Sequence, residues 1–65
     1  MDSLQLTNIM GTLQNAMDTF FARFDKPGFK SQLIRKHLRT AYEHILRGDY
    51  DRALTNINLA EEEMA

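Results

Sequence analysis

Between Leu6 and Phe24 the large apolar residues fall at Leu6, Met10, Leu13, Met17, Phe20 and Phe24, in steps of 4, 3, 4, 3 and 4. That alternation holds side chains on one side of a 3.6-residue helix and predicts an amphipathic helix, its seam widened by Ile9, Ala16 and Phe21. Ser3 or Thr7 is placed to cap its start. Asp25-Lys26-Pro27-Gly28 stops it, because the residue before a proline is pushed out of the α region and glycine tolerates what a turn demands. A second stripe has Ile34, Leu38, Ala41 and Ile45 as its buried face, with Leu33, Tyr42 and Phe29 at the margins. Gly48 suits the left-handed position that closes a helix, and Asp49 suits the N-cap of the next. Tyr50, Ala53, Leu54, Ile57, Ala60 and Met64 then form a third stripe.

Three stripes and two short connections, with helices expected over about 4–24, 29–47 and 50–64, describe an all-α protein. The expected architecture is a compact three-helix bundle, up-down-up, in one domain spanning 1–65. Sixty-five residues lie near the lower limit at which one core sustains a fold. No cysteine is present to add a disulfide or a thiolate metal site. The N-terminus has no positive segment of the kind that precedes a signal sequence, and no run approaches the roughly 18 apolar residues of a membrane span. The chain therefore reads as complete from its initiator methionine and cytoplasmic, in a host's cytoplasm if it is viral.

The run Gly48-Asp49-Tyr50-Asp51-Arg52-Ala53-Leu54 resembles the turn of a tetratricopeptide repeat. In that register Ala41 takes the repeat's small-residue position in its first helix. Ala53, Ile57 and Ala60 take the small, large and small positions of its second. The resemblance covers about Ser31 to Ala65 and implies a helical hairpin. His37 and His44 stand where the repeat has bulky packing residues, no terminal proline follows, and the unit occurs once, whereas arrays need about three to bury their faces.

The net charge of -1 conceals a segregation. Arg23 to Arg47 carries seven of the eight basic residues against Asp25 and Glu43, whereas from Gly48 onward five carboxylates face Arg52 alone. Such a chain is an electric dipole. Catalytic signals are weak by comparison. His37 and His44, seven apart, share a side of one helix but stand roughly 10 Å apart along it, too far to ligate one metal. They read as flanking the seam, with Glu61 a candidate partner for His37, or more sharply as a pH-responsive contact. Glu61-Glu62-Glu63 fans around a helix and cannot converge. Neither a phosphate loop nor a nucleophile with its base is legible. No catalytic, cofactor-binding or metal-binding residue is assigned, and no cofactor is expected.

Two surfaces remain as candidates for binding. The first is a basic strip on the second helix, Lys30, Arg35, Lys36, Arg39 and Arg47, suited to phosphates or to an acidic protein surface. The second is the back of the first helix, Asn8, Gly11, Asn15, Asp18 and Ala22, low in charge and small enough for close docking or self-association. Leu46 and Leu59 are further exposed apolar candidates. The function expected is a small non-enzymatic protein-binding module, an adaptor or an inhibitor of a larger machine, a class that includes small phage-encoded inhibitors. Its partner is then a protein, with a homo-oligomer as a further candidate and no membrane. The alternatives are a nucleic-acid-binding protein using the basic strip, or a structural homo-oligomer.

Overall fold

In the computed structural model, which describes residues 3–65, helix α1 runs Ser3–Arg23, α2 Phe29–Leu46 and α3 Tyr50–Met64. The three pack as an all-α bundle, with α2 and α3 the most intimately paired. Small residues make that closeness possible: Ala41 of α2 and Ala53 and Ala60 of α3 are fully buried beside Ile34 and Ile57. The α1 helix lies over this hairpin and inserts Ile9, Leu13, Ala16 and Phe20.

Backbone chemistry at each turn sets the helix ends. Gly48 has φ +78°; its N–H donates to the Ile45 carbonyl at 3.0 Å, and the Asp49 N–H donates to the His44 carbonyl at 2.9 Å. These are the two bonds of a Schellman closure, which satisfies carbonyls that a helix end leaves orphaned. Asp49 is at once the N-cap of α3, its side chain accepting from the Arg52 N–H at 3.3 Å. At the other turn Gly28, with φ +149°, precedes α2 without a side-chain cap. The buried Ser31 hydroxyl donates back to the Lys26 carbonyl and ties the turn to the first turn of α2.

The four residues expected to face inward on α2 are all buried, but α1 is rotated from the expected seam. Its buried line is Ile9, Leu13, Ala16 and Phe20, while Met10 is 40% exposed and Phe21 58% exposed. The apolar arc of α1, from Ala16 round to Phe21, is about 140° wide at 3.6 residues per turn, and the hairpin covers only its Ile9 side. Small Ala16 lets α1 sit close with its Ile9 edge inward, and Met10 and Phe21 turn out. Phe29, placed at a margin, is 82% exposed because it is the first residue of α2 and overhangs the bundle end. Leu54, expected in the third stripe, is exposed, as Leu46 and Leu59 also are. Thr7 does not cap α1: its hydroxyl donates to the Ser3 carbonyl from inside the helix.

Candidate functional site

The rotation of α1 opens a groove of about 510 Å³ between α1 and α2. Leu13, Phe20 and Leu38 floor it. One wall is the ridge Met10, Gln14, Met17 and Phe21 of α1, in steps of 4, 3 and 4; the other is Arg35, Arg39 and Tyr42 of α2, in steps of 4 and 3. Leu46, 69% exposed, continues the α2 ridge by one more step of four. Each wall is thus one face of a regular helix, set by side-chain periodicity.

A chain of contacts shapes one end. Arg35 donates to Asp25 Oδ1 at 2.9 Å, and its guanidinium lies 5.4 Å from the centroid of the Phe20 ring. Phe20 meets Phe21 edge to face at 5.3 Å, with ring planes inclined at 69°. Aromatic pairs favour that geometry, and a cation over a ring face is attracted by the ring quadrupole. At the other end stand Met10 and Tyr42, a flexible thioether and an amphipathic ring. Met, Phe, Tyr and Arg are residue types enriched in the buried centres of protein interfaces, and here they supply most of the lining.

Of the expected basic strip, Arg35 and Arg39 line the groove, whereas Lys36, three residues before Arg39, and Arg47, eight after it, are exposed about 60° and 80° further round α2 at 3.6 residues per turn. The Lys30 ammonium lies 5.7 Å from the Phe24 ring centroid. Asp25 meets Arg35, and among the described residues no ion pair engages Arg39.

On the back of α1, Asn8, Gly11, Asn15, Asp18 and Ala22 are all exposed. Among the described residues a Cβ at Gly11 would meet nothing within 4 Å, so this glycine serves no close approach to any of them. The hydroxyls of Thr12 and Thr19 donate to the carbonyls of Asn8 and Asn15, and Asp18 accepts from Gln14 Nε2 at 2.9 Å. Asn8 also borders a smaller cleft of about 320 Å³ between α1 and α3, with Gln5, Thr12 and Asp51 among its polar walls.

His37 and His44 are half-buried on α2, but among the described residues no ion pair joins His37 to Glu61. Glu61 lies seven residues after Leu54, on the flank of α3 that borders the α1 cleft; His37 lies on the flank of α2 away from α1. The two therefore face apart. Among the described residues no three His, Asp or Glu side chains converge as a ligand set, and no helix is long and apolar enough to cross a membrane.

Periodicity places Met10 and Met17 on the core seam, Phe21 at its edge and Tyr42 at the margin of the second; Met17 packs partly buried against the core as expected, whereas Met10, Phe21 and Tyr42 line the groove exposed, and the width of the apolar arc on α1 is the signal for that role. No protein-family model matches this chain, and no significant match is found among curated proteins or solved structures.

Proposed function

We propose that this chain is a non-enzymatic protein-binding module, an adaptor or an inhibitor of a larger assembly, and that it docks its partner in the α1/α2 groove. The observation that carries this reading is the groove's lining of Met10, Met17, Phe21, Tyr42, Arg35 and Arg39 over an apolar floor. Apolar side chains gathered in a solvent-open channel mark a surface that another one covers. In a chain this short they amount to a large share of the apolar inventory that the core would otherwise use. The dipolar charge distribution adds orientation during encounter. The apolar floor beneath Arg35 and Arg39, with Asp25 already on Arg35, supports a protein partner over a phosphate backbone.

The test is affinity capture from native lysate with wild-type protein and with Phe21→Ser, after nuclease treatment, with helicity and melting temperature of both proteins recorded. A discrete protein captured by the wild type and lost with a folded Phe21→Ser supports docking in the groove. Capture that survives the substitution overturns it. Capture that vanishes with nuclease alone moves the function to the cations of α2.

A further inference from the structure

We infer that the groove's occupant is an amphipathic α-helix of about three turns, apolar on the face it buries and carboxylate-bearing along the edge that lies over α2. The inference rests on the docking reading above and names the partner's chemistry.

Both walls are segments of α-helices, residues 10–21 of α1 and 35–42 of α2, so their backbone N–H and C=O groups are committed within each helix except in the last turn of α1, where the Phe20 carbonyl accepts from Phe24. An extended peptide would find no main-chain partners there, which removes strand addition as a mode. A helix needs none. Its side-chain ridges fit the channel between two parallel ridges, as in helix packing generally, and Met10 to Phe21 spans about 17 Å, or three turns.

Charge then selects among helices. The lining includes Arg35 and Arg39 and no carboxylate. Asp25 already meets Arg35, and among the described residues neither Glu43, one turn beyond Arg39, nor any other carboxylate pairs with Arg39, which leaves Arg39 as the cation offered to a partner. Across the groove the α1 ridge is uncharged, because Gln14 is its one polar member and is bonded to Asp18. The partner's carboxylates therefore belong over α2 near Arg39, and its apolar residues over Tyr42 and Leu46.

A second copy of this chain does not fit that description. A two-fold pairing brings each patch against itself, so that the arginines of one lining meet a lining with the same arginines, and Asp18 and Asp25 beside it are already bonded to Gln14 and Arg35. The acidic helix of the chain is α3, but its exposed large apolar residues, Leu54 and Leu59, point about 140° apart at 3.6 residues per turn and form no stripe.

The experiment uses three fluorescein-labelled, hydrocarbon-stapled helical peptides, with binding to the full chain read by anisotropy. One has leucines at i, i+4, i+7 and i+11 and glutamates along one edge. The second has lysines for the glutamates, and the third keeps the glutamates with the leucines moved off the stripe. The glutamate peptide should bind about tenfold more tightly than the lysine peptide at low salt, the preference expected when surface charge pairs change sign. That ratio should shrink toward unity at about 1 M salt, where charges are screened beyond about 3 Å. Arg39→Glu should invert the order, and Phe21→Ser and Tyr42→Ser should each weaken binding of both striped peptides.

Equal binding of the first two peptides overturns the inference. So does equal binding of the third, an absence of binding by all three, or a stable dimer in sedimentation equilibrium that Phe21→Ser converts to monomer. If lysate capture is lost with Phe21→Ser while the peptides show no preference, the occupant is wrong and the docking groove stands. If capture is indifferent to Phe21→Ser, both fail.

Discussion

Arg35 and Asp25, ten residues apart in the chain, meet at 2.9 Å across the turn between α1 and α2, and the same guanidinium covers the face of Phe20. The charged groups are about half exposed, at 58% and 48%, so the ion pair itself contributes between about 0 and 1 kcal/mol. The ring contact adds about 0.5 to 1 kcal/mol. Asp25→Asn should accordingly cost less than Arg35→Ala, which also uncovers Phe20. A double-mutant cycle in urea at low and high salt measures the coupling. A coupling of zero at low salt would show that the pair does not fasten the corner of the groove.

Two glycines should respond to alanine with opposite signs. Gly48 has φ +78° in the closure of α2, where a Cβ costs about 1 to 2 kcal/mol. Gly11 has open space around its Cβ position and ordinary helical backbone, so Gly11→Ala should stabilise by about 0.5 to 1 kcal/mol. Thermal melts of the two variants against wild type decide both. Destabilisation by Gly11→Ala would mean that this residue is packed against something, a second copy included.

The rotation of α1 is tested by adjacent residues. Ile9 is buried and Met10 is 40% exposed. Ile9→Ala should cost about 2 to 5 kcal/mol, a large part of the roughly 3 to 10 kcal/mol available to a domain of this length. Met10→Ala should cost under about 1 kcal/mol. Chemical denaturation that ranks the two in the reverse order would restore the seam centred on Met10, Leu13 and Met17 and close the groove.

Asp49→Ala should cost about 1 kcal/mol through loss of the cap on α3, and Asp49→Asn should recover most of it because asparagine accepts the same bond. The Asp49 carboxylate also faces Arg52 Nε at 3.5 Å, an exposed pair that asparagine would lose. Equal stability of the alanine and asparagine variants would assign the stabilisation to something other than the Arg52 N–H.

Most of the scaffold is legible in the sequence because its signals are local. Pro27-Gly28 and Gly48-Asp49 mark the ends of helices by backbone chemistry, and on α2 Ile34, Leu38, Ala41 and Ile45 cluster within about 60° of one another and outweigh the scattered Leu33, Tyr42 and Leu46. The α1 helix is different. Its arc is broad enough to be buried in more than one way, and periodicity cannot say which part faces the hairpin. The choice falls to tertiary packing, where Ala16 opposes the small residues of the hairpin. Since the groove is made of the part left over, it was as hidden as the choice itself. Arg35 illustrates the same limit: its place on α2 is read from spacing, but its engagement with Asp25 and Phe20 depends on how the turn folds back.

Asp49 belongs to two helices at once, completing the hydrogen bonding at the end of α2 and opening α3 with its side chain. No residue at that junction is left over to take up slack, so α2 and α3 cannot change their crossing without breaking the last turn of one or the first turn of the other. The α1 helix is joined to that hairpin through five residues outside either helix, Phe24 to Gly28, so the ion pair across this longer joint, Arg35 on Asp25, is what ties the groove's two walls together at their covalent end.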